Sequence, residues 1–119
     1  MTQEIRRRIL IIDDNLGLAE NIAEILEMRG YLTEVAVSAE EALSKIGSTP
    51  PDVVVTDYRL PGINGASLVR RLAEIGVRVN AVVISAFTDD RTIEDAKRAG
   101  AAFLAKPVDF EALGRLIRP

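Results

Sequence analysis

Three stretches of the chain are almost wholly apolar and rich in β-branched residues: Ile9-Leu10-Ile11-Ile12, Val53-Val54-Val55-Thr56 and Ala81-Val82-Val83-Ile84-Ser85. Runs of this length and character fit strands buried on both faces, as in a parallel sheet covered by helices. Thr33-Glu34-Val35-Ala36-Val37 instead alternates polar and apolar residues, which predicts an edge strand with one wetter face. Ala102 to Ala105 is short and suits the other edge. Between these runs the apolar spacing turns helical. Leu18, Ile22, Ile25 and Leu26 form one stripe, and Leu68, Leu72 and Ile75 form another. Ser38 and Glu41 make a capping box ahead of Ala42, Leu43 and Ile46. Asp109 predicts an N-cap before Phe110, Leu113 and Ile117. Gly30, Gly47, Gly76 and Gly100 each stand where a helix is expected to stop. A helix from about Thr92 to Ala99 has Ile93 as its only large apolar residue, beside Ala96 and Ala99. So thin an apolar face predicts a weakly anchored element.

The order is a β-α alternation repeated five times, which implies a parallel sheet with right-handed crossovers. Polarity puts the first, third and fourth strands in the centre and the second and fifth at the edges. Strand order 2-1-3-4-5 satisfies this: an α/β, flavodoxin-like (βα)5 three-layer sandwich. Residues 1–119 read as one domain, with no internal repeat, linker or low-complexity segment.

Composition narrows the chemistry. The chain has 119 residues, the size of one common domain, and is 48% hydrophobic, enough for a core without cross-links. It has no cysteine and no histidine, which removes disulfides, thiolate sites, the usual zinc ligands and the usual general base. A net charge of −3 with 4% aromatic residues argues against direct nucleic-acid binding. Arg6-Arg7-Arg8 followed by Ile9 to Ile12 is too short an apolar run for a signal peptide or membrane span, because it stops at Asp13 and Asp14. A cytoplasmic domain with no membrane contact is therefore expected.

In an open α/β sheet, ligands bind beyond the carboxyl ends of the strands, at the switch point between strands 1 and 3. Those ends carry Asp13 and Asp14, Asp57, Ser85 and Lys106. Singly, each has a plain structural explanation. Asp13 or Asp14 can cap the following helix, and Asp57 can serve a turn before Pro61-Gly62. Ser85 can be a satisfied strand-end hydroxyl, and Lys106 a solvated lysine. Together they are harder to explain as structure alone. Two carboxylates ~5 Å apart repel by roughly 3 kcal/mol at an effective dielectric near 20. Clustering three therefore costs stability unless a cation sits among them. Oxygen donors suit Mg²⁺, and a divalent ion beside a carboxylate and a lysine describes phosphoryl transfer onto an aspartate.

The stretches ILIIDDN, VVVTDYRLPGINGASLV, AVVISAF and GAAFLAKPV resemble, in order and spacing, the signature regions of response regulator receiver domains, from Ile9 to Ile117. The resemblance implies a phosphoacceptor at Asp57. It implies Mg²⁺ held by Asp14, Asp57 and the backbone carbonyl of Arg59, with Asp13 acting partly through metal-bound water. Lys106 would pair with the phosphoryl group as a point charge, Ser85 would hydrogen-bond it, and Ala86 would leave room for it. Phe103 matches the aromatic switch position, and a cis peptide is expected between Lys106 and Pro107. Arg59 and Phe87 fall at variable positions that tune dephosphorylation in the family. Asn64 stands where many members have Asp. The implied partners are a sensor histidine kinase or phosphotransfer protein, with a homodimer or a covalently attached effector domain as further forms. The implied output is a change in the surface of helix 4, strand 5 and helix 5. Catalysis is confined to the domain's own phosphorylation and dephosphorylation.

Three other readings share parts of this pattern. A haloacid-dehalogenase-like phosphatase also uses Asp, Ser or Thr, Lys and Mg²⁺, but places its nucleophile after the first strand in an Asp-x-Asp pattern that Asp13-Asp14-Asn15 does not supply. A flavodoxin needs a hydroxyl-rich phosphate loop where Asp13 and Asp14 would repel phosphate. A receiver-like docking module without phosphorylation would not need all five site residues.

Overall fold

The computed structural model describes residues 6–118. Five strands alternate with five helices: β1 Arg8–Ile12, α1 Leu16–Met28, β2 Leu32–Ala36, α2 Ala39–Ser48, β3 Val53–Asp57, α3 Gly65–Glu74, β4 Asn80–Ser85, α4 Asp90–Arg98, β5 Ala102–Ala105 and α5 Phe110–Ile117. All strand pairs are parallel, and the order is β2-β1-β3-β4-β5. The three apolar runs are the central strands, as their double-sided burial requires.

Alternate residues of those strands feed two layers. Ile9, Ile11, Val53, Val55, Val82 and Ile84 pack with α1 and α5 through Ile22, Leu26, Leu113 and Ile117. On the other face Leu10, Ile12 and Val54 meet Leu68 and Leu72 of α3 and Ile46 of α2. Ala81 and Val83 meet Val69 and the α4 residue Ala96, with Phe103 half-buried against this group. On the open edge of β2, Lys45 Nζ donates to the Val35 carbonyl at 2.6 Å, blunting an edge that would otherwise offer free main-chain groups.

Helix ends follow local chemistry, with four departures from expectation. Ser38 and Asp109 cap α2 and α5 by accepting from Glu41 N and from Glu111 and Ala112 N. The cap of α1 is Asn15, whose side chain accepts from Leu18 N, so neither Asp13 nor Asp14 is spent on capping. Gly30, Gly76 and Gly100 turn at positive φ just past α1, α3 and α4, but Gly47 lies inside α2. Ile75 continues the α3 stripe in sequence yet is the C-cap and 58% exposed, because the helix has already ended. α4 begins two residues earlier than expected, at Asp90, and buries Thr92 and Ala96; Ile93 is only half-buried. Its apolar anchorage is thinner than the sequence suggests. No helix among the described residues is long and apolar enough to cross a membrane.

An acidic crevice at the strand ends

Main-chain bonds continue past the strands and bring their ends side by side. Asp13 N donates to Ala36 O at 3.1 Å, Tyr58 N to Ile84 O at 2.8 Å, and Lys106 N to Ser85 O at 2.8 Å. Asp13, Asp14, Asp57, Ser85 and Lys106 thus converge on one crevice. Carboxylate oxygens of Asp13, Asp14 and Asp57 lie within 4.8 Å of one another. Asp13 is fully buried, Asp57 nearly so, and Asp14 is exposed.

Asp13 is committed on both oxygens. Oδ1 accepts from Asn15 N at 2.9 Å, and Oδ2 accepts from Lys106 Nζ at 3.1 Å. Lys106 also pairs with Asp57 Oδ1 at 3.4 Å, so one ammonium bridges two carboxylates. Burial pushes the Asp57 carboxyl above the ordinary carboxylate value, and the neighbouring Asp13 charge adds to this. Together they outweigh Lys106, which pulls it down. Burial alone would lower the Lys106 ammonium, but its bond to Asp13 and the Asp57 charge hold it above its usual value. One lysine leaves three close carboxylates undercompensated. The all-oxygen donor set and its excess negative charge fit a hard divalent cation.

The remaining expected residues surround this core. Ser85 is buried, and its Oγ accepts from Phe87 N at 2.9 Å. Ala86 is exposed at the mouth, and the Lys106–Pro107 peptide is cis. Phe103 lies on β5 with its ring toward the α3 and α4 layer, away from the carboxylates. The Arg59 guanidinium stacks on the Phe87 ring, 4.2 Å from its centroid, bridging the loops after β3 and β4.

Sequence patterning missed two supports. Gly65 opens α3 so close to β3 that a Cβ there would lie 2.4 Å from the Asp57 carbonyl oxygen. That carbonyl also accepts from the buried Thr56 hydroxyl at 3.0 Å, while Gly65 N donates to Tyr58 O at 2.7 Å. Thr56 reads as an ordinary strand residue and Gly65 as a turn glycine, so only the packing reveals that they hold the Asp57 main chain.

A family model described as the response regulator receiver domain matches residues 9–118. The chain belongs to that family. This receiver domain is 44% identical over 103 residues to a response regulator receiver protein of Anaeromyxobacter sp. (strain Fw109-5), covering 86% of this chain and 43% of that protein. It is 28% identical over 110 residues to sporulation initiation phosphotransferase F of Bacillus subtilis (strain 168), covering 92% of this chain and 89% of that one. Among solved structures it resembles a response regulator from Burkholderia pseudomallei with a phosphorylated aspartic acid, calcium ion and citrate. That match has a TM-score of 0.86 at 29% identity, covering 94% of this chain and 66% of the other. The 2-1-3-4-5 order and the receiver fold therefore agree, and the role is regulatory rather than that of a classical enzyme. The phosphatase reading has no support beside this match. The receiver domain spans less than half of the Anaeromyxobacter protein, whose remaining activities do not transfer to it.

Proposed function

We propose that this receiver domain takes a phosphoryl group onto Asp57 from the phosphohistidine of a sensor histidine kinase or phosphotransfer protein in the cytoplasm. The observation that carries the reading is the crevice itself: Asp57, nearly buried, between two carboxylates and a lysine that bridges Asp57 to Asp13. A carboxylate oxygen of Asp57 attacks phosphorus, the phosphorus–nitrogen bond breaks, and the imidazole leaves with the electron pair. The product is a mixed anhydride. Lys106 faces the acquired phosphoryl oxygens as a fixed positive charge, Ser85 supplies a hydroxyl donor, and Ala86 leaves the approach open.

Mg²⁺ is the proposed cofactor, held by Asp14, Asp57 and the Arg59 carbonyl. Both Asp13 oxygens are already engaged, which suits Asp13 to an indirect role. When bound, the ion supplies charge neutralisation to the carboxylates and the phosphoryl oxygens. A mostly apolar groove lined by Leu18, Asn21, Pro107, Val108 and Phe110 opens beside Lys106. Phosphorylation draws the Ser85 hydroxyl toward the phosphoryl group, Phe103 turns inward, and the surface of α4, β5 and α5 changes. A homodimer or an attached effector domain would read that surface. Beyond its own phosphorylation and dephosphorylation the domain catalyses nothing.

The test is incubation with a small acyl phosphate and Mg²⁺, followed by intact-mass measurement. One hydroxylamine-labile phosphoryl group is expected on the wild type and none on Asp57→Asn. Label that persists in the Asn variant, or that resists hydroxylamine, refutes Asp57 as the acceptor.

A further inference from the structure

Tyr58 immediately follows Asp57, and its main chain is pinned on both sides, N to Ile84 O at 2.8 Å and O from Gly65 N at 2.7 Å. Its side chain packs toward α3 and α4. There the phenol donates to Asp95 Oδ2 at 2.7 Å, and Asn64 Nδ2 reaches the phenol oxygen at 3.4 Å. The other Asp95 oxygen, Oδ1, pairs with the Arg70 guanidinium, which also donates to the Asp95 main-chain carbonyl at 3.3 Å. Both carboxylate oxygens of one α4 residue are thus held from outside α4, one by α3 and one by the residue after Asp57. Side-chain exposure of 26% for Asp95 and 39% for Arg70 leaves the pair partly shielded from water. Charge-assisted bonds of this kind are stronger than neutral ones.

The contrast with the rest of α4 gives the cluster its weight. The helix buries only Thr92 and Ala96, both small, so apolar packing holds it weakly. We propose that Tyr58, Asp95 and Arg70 form a latch that ties α4 to the phosphoacceptor loop, with Tyr58 as the positioning residue that carries the state of that loop to α4. The link is short. A displacement of the Asp57 main chain passes through one peptide unit to Tyr58, and through its phenol to α4. The transmission part of the proposal rests on Asp57 being the phosphoacceptor; the mechanical part does not.

Amide hydrogen exchange on the full chain, with near-isosteric variants, separates the two parts. In the metal-free protein, Tyr58→Phe should speed exchange across residues 90–98 by about tenfold, the loss of one hydrogen bond to a charged group. Asp95→Asn, a change on α4, should loosen residues 57–65 of the loop. Reciprocal loosening is expected of a latch. If each variant loosens only its own segment, the latch is overturned. With Mg²⁺ and beryllofluoride added, the wild type should show a changed exchange rate in α4, and Tyr58→Phe should lose at least half of that change. An undiminished α4 response in a variant that binds beryllofluoride overturns the transmission role. Failure of the wild type to bind beryllofluoride counts against the phosphoacceptor reading instead, and the reciprocal loosening then decides the latch alone.

Discussion

Gly65→Ala and Gly47→Ala make a matched test of how tightly α3 is set against β3, because both glycines lie in helices and the physics gives opposite signs. A Cβ at Gly47 meets nothing within 4 Å, and the position is exposed in the last turn of α2. Alanine there gains helix propensity and restricts the unfolded chain, stabilising by about 0.5–1 kcal/mol. A Cβ at Gly65 falls 2.4 Å from the Asp57 carbonyl oxygen, and at 3.0 and 3.1 Å from the Thr56 methyl and hydroxyl. The first of these is main chain, and it is fixed by the Thr56 hydroxyl at 3.0 Å. To reach ordinary contact, α3 or the end of β3 has to move by about 1 Å. Overpacking of this kind costs about 1–3 kcal/mol, and the propensity gain offsets up to ~1 kcal/mol at the first helical position. The net expectation is a loss of about 1–2 kcal/mol, or a Tm lower by about 4–8 °C, against a small rise for Gly47→Ala. Urea and thermal unfolding in chelator measure both. Because the displaced atom belongs to Asp57, Gly65→Ala should also weaken Mg²⁺ binding, whereas Gly47→Ala should not. Wild-type stability and wild-type Mg²⁺ affinity in Gly65→Ala would refute the close approach as a constraint.

Further outcomes follow from the same geometry. Mg²⁺ should raise the Tm of the wild type but not of Asp14→Ala, whose metal-free form should be no less stable than the parent, since a repulsive cluster is relieved; equal Mg²⁺ shifts in the two proteins would contradict this. The folded-state Asp57 carboxyl lies above its unfolded value of 3.8, so its contribution to stability in chelator is greatest in acid and is lost as pH rises through the folded value. Subtracting the Asp57→Asn stability–pH profile should leave that falling component, and a flat difference would count against it. Leu26→Ala, at a fully buried site between α1 and the sheet, should cost about 2–5 kcal/mol by chemical denaturation. Asn15→Ala should cost about 1 kcal/mol through loss of the α1 cap, measured in the same way.

The parts legible in the sequence were those in which one physical demand dominates a run of residues. Ile9 to Ile12, Val53 to Thr56 and Ala81 to Ser85 are apolar throughout because both sheet faces are covered, so their central placement followed. The candidate site was legible for a related reason: charged residues at the ends of apolar strands stand out. Less legible were features decided by approach in space. Gly47 carries the same letter as Gly30 and sits at a similar spacing, but α2 continues through it. Ile75 fits the α3 period, but the helix ends before it reaches the core. Asp95 and Arg70 are 25 residues apart and resemble any surface charges, and Tyr58 resembles any strand-end aromatic. Nothing in their spacing announces a shared contact.

The bonds that align the strand ends, from Asp13 N, Tyr58 N and Lys106 N, come from the main chain rather than from side chains. Among residues other than proline, substitution cannot delete a peptide N–H or carbonyl. The positions of the acidic and basic groups are therefore written in the part of the polymer that mutation alters least. Core residues can be exchanged for others of similar volume, and surfaces rebuilt for new partners, while the crevice keeps its shape. That separation gives a physical basis for inheritance across long divergence: a protein sharing 29% of its residues over most of this chain still superposes with a TM-score of 0.86. Variation can act on recognition while the chemistry stays in place.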